Sequence, residues 1–211
     1  HHYQAAIPSF IHGLRKFPLR EPVLQNTTFF RQFIKHFFEI GAILPSSGAA
    51  CREMTSHLAR KSGAVRVLEV GAGTGPVTAK IVPLLQPGDA LDIVEINPNL
   101  MAIVRRRFQQ EPGFRTDGVT IRFLTEDIRQ APLESGYDFI LFSLPLTNFP
   151  PSMVKEILDL MILHLKPGGQ FSYIKYIFLG RVKYLFSGSA ARAEIQTRQK
   201  ILHDFTNHYQ I

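Results

Sequence analysis

Apolar positions follow one period in the first part of the chain and another after residue 62. Between residues 26 and 40, phenylalanines and isoleucines recur at helical spacing, with Arg31 and Lys35 among the polar residues between them. This pattern predicts an amphipathic helix that is rich in aromatic residues. Glycine and proline then end it, and a serine caps a second predicted helix over residues 46–62.

From residue 63 onward, short apolar strands alternate with helical segments. The predicted strands are residues 65–70, 91–96, 120–124, 137–142 and 170–177, and the predicted helices are residues 76–85, 99–110, 152–165 and 189–209. Such an alternation predicts an α/β fold with a mostly parallel sheet, right-handed crossovers and helices on both faces.

Length and composition limit the class of protein. A chain of 211 residues with 45% hydrophobic and 19% charged residues can bury one core, which excludes the disordered and collagen-like classes. We divide it into an N-terminal segment, residues 1–62, and a core, residues 63–211. Cys51 is the single cysteine, and no apolar run approaches the ~20 residues of a membrane-spanning helix. These features predict a cytoplasmic protein.

The net charge of +7 is concentrated at both ends of the chain. Residues 1–60 hold seven Lys and Arg against three acids, residues 61–170 hold 11 against 12, and residues 171–211 hold six against two. Basic ends around a neutral middle favour an anionic partner, either nucleic acid or a membrane surface. Ordinary solvated charge on two helices is the alternative.

Candidate chemistry begins where the strand 65–70 meets a glycine-rich turn, residues 71–75. Glycine permits a sharp turn and a close approach to a ligand. A dinucleotide fingerprint would have its third glycine where Pro76 stands, which disfavours nicotinamide and flavin. Glu95 ends the second strand, where a carboxylate can accept ribose hydroxyls, and Asp127 follows the third, where it can receive an adenine amino group. The alternatives are that the glycine-rich segment is an ordinary turn, that Glu95 is a solvated acid and that Asp127 caps a short helix.

Together these segments resemble the class I S-adenosylmethionine-dependent methyltransferases. The matching segments are residues 67–75, 95–98, 126–128 and 165–169, the last being the turn before the predicted fifth strand. The resemblance covers roughly residues 40–180. It implies a Rossmann-like fold, S-adenosylmethionine as cofactor with S-adenosylhomocysteine as product, and no metal.

The resemblance also implies where the cofactor binds. Glu69 would engage its ammonium through water or backbone, and residues 41–47 would close over its methionine end, which makes the second helix lid-like. The full predicted set is Ser47, Glu69, Gly71, Ala72, Gly73, Gly75, Glu95, Ile96, Asp127, Ile128 and Ser143. Methyl transfer is an in-line displacement that depends on alignment, so few catalytic residues are expected.

The methyl acceptor is indicated by the segment after the fourth strand. Nucleic-acid amino-methyltransferases carry there a polar residue, a proline and an aromatic residue that stacks on the base. Ser143 and Pro145 keep the first two, but Leu146 replaces the aromatic, which makes nucleic acid an unlikely partner. Together with residues 39–47, this segment resembles the small bacterial phosphatidylethanolamine N-methyltransferases. The predicted catalytic residues are Ser143, Leu144, Pro145 and Tyr176, and Arg181 and Lys183 are predicted to bind the lipid phosphate.

A lipid acceptor gives the helix at residues 26–40 a role. Its apolar anchors and cations would bind an anionic membrane surface, through Phe29, Phe30, Arg31, Phe33 and Lys35. The expected enzyme is peripheral, on the inner face of the membrane, with phospholipid as substrate. Packing of this helix on the sheet is the structural alternative.

Two alternatives to lipid methylation stay open, namely N-methylation of adenine in RNA and cofactor binding without catalysis. The sequence does not indicate an oligomeric state. Class I methyltransferases close their sheet with a sixth and an antiparallel seventh strand, whereas here at most the start of one follows residue 206. We therefore expect that C-terminal strands are missing through truncation.

Overall fold

The computed structural model describes residues 48–146, 149–173 and 189–209. Its centre is a five-stranded sheet in which every pair of neighbours is parallel. The strands are β1 Arg66–Val70, β2 Ala90–Val94, β3 Thr120–Leu124, β4 Tyr137–Phe142 and β5 Leu165–Tyr173, in the order β3-β2-β1-β4-β5. The chain starts at β1, moves outward to β3 and then crosses back to β4. This reversal places a ligand crevice at the carboxyl ends of β1 and β4.

Five α-helices accompany the sheet within these residues. They are α1 Gly48–Met54, α2 Thr78–Ile81, α3 Pro98–Gln110, α4 Pro151–His164 and α5 Ser189–Tyr209, and 3₁₀ turns cover Leu58–Arg60, Val82–Leu84 and Pro112–Phe114. The predicted strands and the last three predicted helices agree with the structure to within a few residues, apart from the start of the predicted fifth strand. Its predicted end, residues 174–177, lies outside the described residues. The predicted helix at residues 26–40 lies outside the described residues.

Two predicted helices are shorter than expected. The helix expected over residues 46–62 is interrupted after α1, where the Thr55 hydroxyl bonds to the backbone carbonyls of Cys51 and Arg52. Such a side-chain bond competes with the helical hydrogen bonds. The helix expected over residues 76–85 changes to a 3₁₀ turn that contains Pro83, because proline lacks an N–H for the helical bond.

The segment 165–169 was predicted as a turn before the fifth strand, and that prediction is wrong. It lies inside β5 as a bulge: Leu165 pairs with Tyr137, and Gln170 pairs with Phe139, so four residues of β5 face one residue of β4. A Cβ on Gly169 would lie 2.9 Å from the carbonyl oxygens of Lys166 and Tyr137, so the bulge requires glycine there.

The core lies on both faces of the sheet. Alternate residues of β1 point to opposite sides, so Leu68 and Val70 join one apolar cluster and Val67 the other. The first cluster includes residues of α4 and α5, and the second includes residues of α1 and α3. Cys51 is a small core residue in the second cluster, 1% exposed. Helices on both faces confirm the predicted architecture.

A buried carboxylate joins the amino-terminal ends of the strands. Asp89, 1% exposed, accepts hydrogen bonds from Lys61 Nζ at 2.6 Å, Gln86 N at 2.6 Å and Val65 N at 2.9 Å. Its backbone oxygen accepts from Thr120 N at 2.9 Å. Burial acts to raise the pKa of Asp89, but the bonds from Lys61 and the two backbone N–H groups lower it overall. The ionised Asp89 side chain and its backbone oxygen therefore stabilise the residues that lead into β1, β2 and β3.

We expect Asp89→Asn to lower the free energy of unfolding by about 3 kcal/mol at neutral pH, since it leaves the buried Lys61 ammonium without its counter-charge. Because the folded-state pKa of Asp89 is lowered, its contribution is present above about pH 4 and is lost as the pH falls further, so the two proteins converge in acid. Urea unfolding at several pH values measures this. The control, Asp159→Asn, breaks the exposed pair with Lys155 and should cost less than about 1 kcal/mol. Equal effects of the two variants would contradict the assignment.

Candidate active site

A turn of positive-φ glycines follows β1. Gly71, Gly73 and Gly75 have φ angles of 77°, 59° and 87°, which side chains other than glycine rarely adopt. The Gly71 N–H donates to Val94 O at 2.8 Å, which joins the turn to the end of β2. A Cβ on Gly71 would lie 2.5 Å from Leu144 Cδ2, so this glycine also makes room for the segment after β4.

The Glu95 carboxylate contacts this turn directly. Glu95 is 2% exposed, and its two oxygens accept from Gly73 N and Asn97 N, each at 2.9 Å. Burial raises the pKa of Glu95, while backbone N–H groups, including those two, oppose the shift. The structure therefore brings together the glycines and the acid that the sequence placed in one site.

Glu69 lies on β1 beneath the same turn. It is fully buried, and both carboxyl oxygens lie within hydrogen-bond distance of Thr78 Oγ1, at 3.0 and 2.8 Å. Burial raises the pKa of Glu69 to about 7; hydrogen bonds from Thr78 oppose the shift, nearby Glu95 adds to it and Arg107 reduces it. Among the described residues, Glu69 therefore forms its side-chain hydrogen bonds with Thr78.

Asp127 follows β3, as predicted, but its carboxylate already has a partner. It accepts from the backbone N of Arg129 at 3.0 Å and from the guanidinium at 3.0 and 2.5 Å. An adenine amino group would have to share this carboxylate with Arg129. The side chains of Ile96 and Ile128 are buried in the core cluster that includes residues of α4 and α5, so they contribute to the site through core packing.

The segment after β4 lies beside the glycine turn. The Ser143 N–H donates to Val70 O at 2.9 Å, while its buried hydroxyl oxygen has no hydrogen-bond partner among the described residues. Buried polar atoms are nearly always satisfied, so this hydroxyl is a candidate to bond either a ligand group or a residue outside the described ones. Leu144 and Leu146, which follow in the chain, are also buried. The other predicted site residues, Ser47, Tyr176, Arg181, Lys183, Phe29, Phe30, Arg31, Phe33 and Lys35, lie outside the described residues, and their roles remain predictions.

Arg107 contacts the site but was not identified from the sequence. Its Nη1 donates to Thr74 O at 3.1 Å and to Gly75 O at 2.9 Å, its other nitrogens bind Glu111, and its guanidinium lies 4.4 Å from the Phe114 ring centre. It thereby supports the far side of the glycine turn. The i,i+4 spacing of Arg107 and Glu111 indicates their ion pair, but it does not indicate the contact of Arg107 with the turn.

Comparisons with known proteins agree with this geometry. Residues 67–169 match the family model described as a methyltransferase domain. The chain is 30% identical over 146 residues to the ornithine lipid N-methyltransferase of Singulisphaera acidiphila, a match that covers 69% of this chain and 75% of that protein. The chain belongs to the S-adenosylmethionine-dependent methyltransferases.

Two further known proteins resemble this methyltransferase over part of their length, one in sequence and one in fold. The malonyl-[acyl-carrier protein] O-methyltransferase of Bacillus cytotoxicus is 32% identical over 93 residues, which is 43% of this chain and 30% of that protein. The 1,6-didemethyltoxoflavin-N1-methyltransferase of Burkholderia thailandensis, solved with 1,6-didemethyltoxoflavin and S-adenosylhomocysteine, shares the fold with a TM-score of 0.53 and 21% identity, over 75% of this chain and 65% of that one. The chain thus spans less than two thirds of each of these two proteins.

The cofactor of the methyltransferase is S-adenosylmethionine, and the described residues suit it. Two buried carboxyl groups, Glu69 and Glu95, border the glycine turn, which disfavours a pyrophosphate and favours a ligand with hydroxyls and positive charge. The Ser143 hydroxyl, which has no partner in the described part of the chain, adds an uncharged polar group at the same edge. Within residues 48–146, 149–173 and 189–209, no cluster of three or more His, Cys, Asp and Glu side chains is arranged to hold a metal ion.

We expect Glu95→Ala to weaken S-adenosylmethionine binding tenfold to a hundredfold, or about 1–3 kcal/mol, since the ribose loses a charged acceptor and Gly73 N–H loses its partner. Isothermal titration calorimetry measures the dissociation constant. Asp117→Ala, which removes an exposed acid before β3 at the opposite edge of the sheet, is the control and should bind like wild type. An unchanged constant in folded Glu95→Ala protein would remove Glu95 from the site.

Proposed function

We propose that this methyltransferase transfers methyl groups to the amine of a membrane-lipid headgroup. The observation that carries the proposal is its similarity to an ornithine lipid N-methyltransferase over three quarters of that enzyme. Ornithine and ethanolamine headgroups both present an aliphatic amine. The two candidate acceptors are therefore ornithine lipid, the substrate in the relative's name, and phosphatidylethanolamine, the acceptor predicted from the sequence.

The described site supports transfer to an amine. When bound, S-adenosylmethionine supplies a methyl group on a positively charged sulfur. In our proposal the Ser143 hydroxyl, which is buried and has no partner among the described residues, accepts a hydrogen bond from an N–H of the incoming amine. This bond orients the lone pair of the amine nitrogen. The buried side chains of Leu144 and Leu146 provide apolar surroundings that favour the neutral, nucleophilic form of the amine.

The proposal also includes a place of action. Residues 26–40 would bind an anionic membrane surface through their phenylalanines and cations, and the enzyme would work at the cytoplasmic face of that membrane. Among the described residues, no helix has the length and apolar content required to cross a bilayer.

Labelled methyl transfer tests the acceptor. The full chain is incubated with methyl-labelled S-adenosylmethionine and vesicles that contain ornithine lipid, phosphatidylethanolamine or neither. We expect label in the lipid fraction of at least one of the first two vesicle types, and which of them is methylated identifies the headgroup. Label that enters adenine of added RNA instead, or no transfer to either lipid by protein that binds the cofactor, would overturn the proposal.

The membrane-binding helix has its own test. The combined variant Phe29→Ser, Phe30→Ser, Arg31→Glu and Lys35→Glu should no longer sediment with anionic vesicles, because it loses two apolar anchors and reverses two charges worth about 1 kcal/mol each near the membrane. Its affinity for S-adenosylmethionine should stay within about threefold of wild type, less than 1 kcal/mol, because Glu95 and the glycine turn are unchanged.

The control for this variant is Arg115→Glu with Lys155→Glu, which reverses two exposed cations of the core and should leave sedimentation intact. If the combined variant does not fold, Arg31→Glu with Lys35→Glu tests the charges alone. Undiminished sedimentation and lipid methylation would show that residues 26–40 do not bind the membrane.

A further inference from the structure

The pair formed by Glu69 and Thr78 has a hydrogen-bond pattern that differs from that of Glu95. Each Glu95 oxygen accepts from a backbone N–H, which can only donate. Both Glu69 oxygens instead lie near one hydroxyl oxygen, which carries one hydrogen and two lone pairs. Thr78 Oγ1 can therefore donate to one Glu69 oxygen while the other oxygen, if protonated, donates to it. These contacts fit either protonation state of Glu69: hydrogen bonds from the Thr78 hydroxyl and backbone lower its pKa, and the larger effect of burial raises it.

Two charged groups act on this pair among the residues that the structure describes. Glu69 and Thr78 are both completely buried, and the two charged groups are Glu95, directly after β2, and Arg107 on α3. The Arg107 guanidinium is already bonded to two carbonyls of the glycine turn and to Glu111. An ionised Glu69 thus lacks a close counter-ion among the described residues.

Thr78 also borders the turn itself. A Cβ on Gly75 would lie 3.5 Å from Thr78 Oγ1, so the hydroxyl is within contact distance of the backbone that holds the cofactor. S-adenosylmethionine brings a sulfonium and an ammonium to this edge. Positive charge there favours the ionised form of a nearby buried carboxyl group.

We propose that Glu69 and Thr78 form a proton-linked pair, in which the Glu69 carboxyl group holds a proton in the cofactor-free protein and releases it to solvent when the cationic cofactor binds. Thr78 is then a positioning residue that sets the pH at which the release occurs. The inference rests on the cofactor and is independent of the methyl acceptor, so a failure of lipid methylation leaves it intact.

The direction in which cofactor affinity changes with pH follows from the pKa of Glu69 in the free and in the cofactor-bound protein. Burial places the pKa of Glu69 at about 7 in the free protein, and cofactor binding lowers it. Cofactor affinity therefore rises with pH, by up to about tenfold per pH unit below about pH 7, and levels off above it.

Calorimetric titration of the full chain with S-adenosylmethionine measures this linkage. Titrations between about pH 6 and about pH 8 give the affinity profile, and buffers of different ionisation enthalpy give the number of protons released. The cofactor's own amino group also titrates, so the quantity of interest is the difference between wild type and Glu69→Gln. We expect the variant to lose the proton release that belongs to Glu69, which approaches one proton only below about pH 7, and the pH dependence that accompanies it.

Two substitutions at Thr78 separate a positioning role from a structural one. Thr78→Val removes the hydroxyl that lowers the pKa of Glu69, so the midpoint of the affinity profile should move to higher pH. Thr78→Ser keeps the hydroxyl and should keep the midpoint of wild type. Equal midpoints for the valine and serine variants would overturn the role of Thr78.

A measurement on the unmodified sequence covers the case in which a variant does not fold. In protein labelled with ¹³C-glutamate, the infrared band of a protonated carboxyl group should be present near neutral pH and disappear when S-adenosylmethionine is added. If this band is absent before addition, or persists afterwards, Glu69 does not release a proton and the proposal is wrong. The proposal also fails if wild type and Glu69→Gln release equal numbers of protons.

Discussion

A Cβ on Gly71 would lie 2.5 Å from the end of the Leu144 side chain and 3.4 Å from its backbone N, so the glycine turn and the segment after β4 are in direct contact. The turn is held from other sides as well. The end of β2 accepts its first N–H, Glu95 accepts the N–H of its middle glycine, and Arg107 donates to its last two carbonyls. Since side chains other than glycine rarely adopt these φ angles, the conformation of the turn, and with it the predicted cofactor site, depends on the glycines.

Charge is distributed differently at the two edges of the sheet. At the amino-terminal edge the buried Asp89 carboxylate has the Lys61 ammonium at 2.6 Å, and within the sheet Asp92 has the Arg122 guanidinium at the same distance. At the carboxyl-terminal edge, the described contacts of Glu69 and Glu95 are with a hydroxyl and backbone N–H groups. Carboxyl groups that have no bonded cation among the described residues favour a cationic ligand. The sulfonium cofactor of the family is such a ligand.

The sequence predicted the strands and the acids at their ends because both depend on local patterns. Alternating apolar segments identify buried strands, and Glu95 and Asp127 stand at strand ends by their position alone. Two contacts of the site were not predicted: Arg107 lies 32 residues from the Gly75 carbonyl to which it donates, and the Arg129 guanidinium binds Asp127, two residues before it. The interrupted helices likewise depend on single side chains, such as Thr55, whose hydroxyl can bond either to solvent or to the backbone.

The contact between Leu144 and Gly71 also connects binding to chemistry. Displacement at a methyl carbon requires nucleophile, carbon and leaving sulfur to lie on one line, so small shifts between the cofactor segment and the acceptor segment reduce the rate. In this structure the two segments share an apolar contact, and a backbone bond joins Ser143 N to Val70 O at 2.9 Å, at the last residue of β1. The segment that we propose to position the acceptor is therefore held by the same strand that ends in the glycine turn.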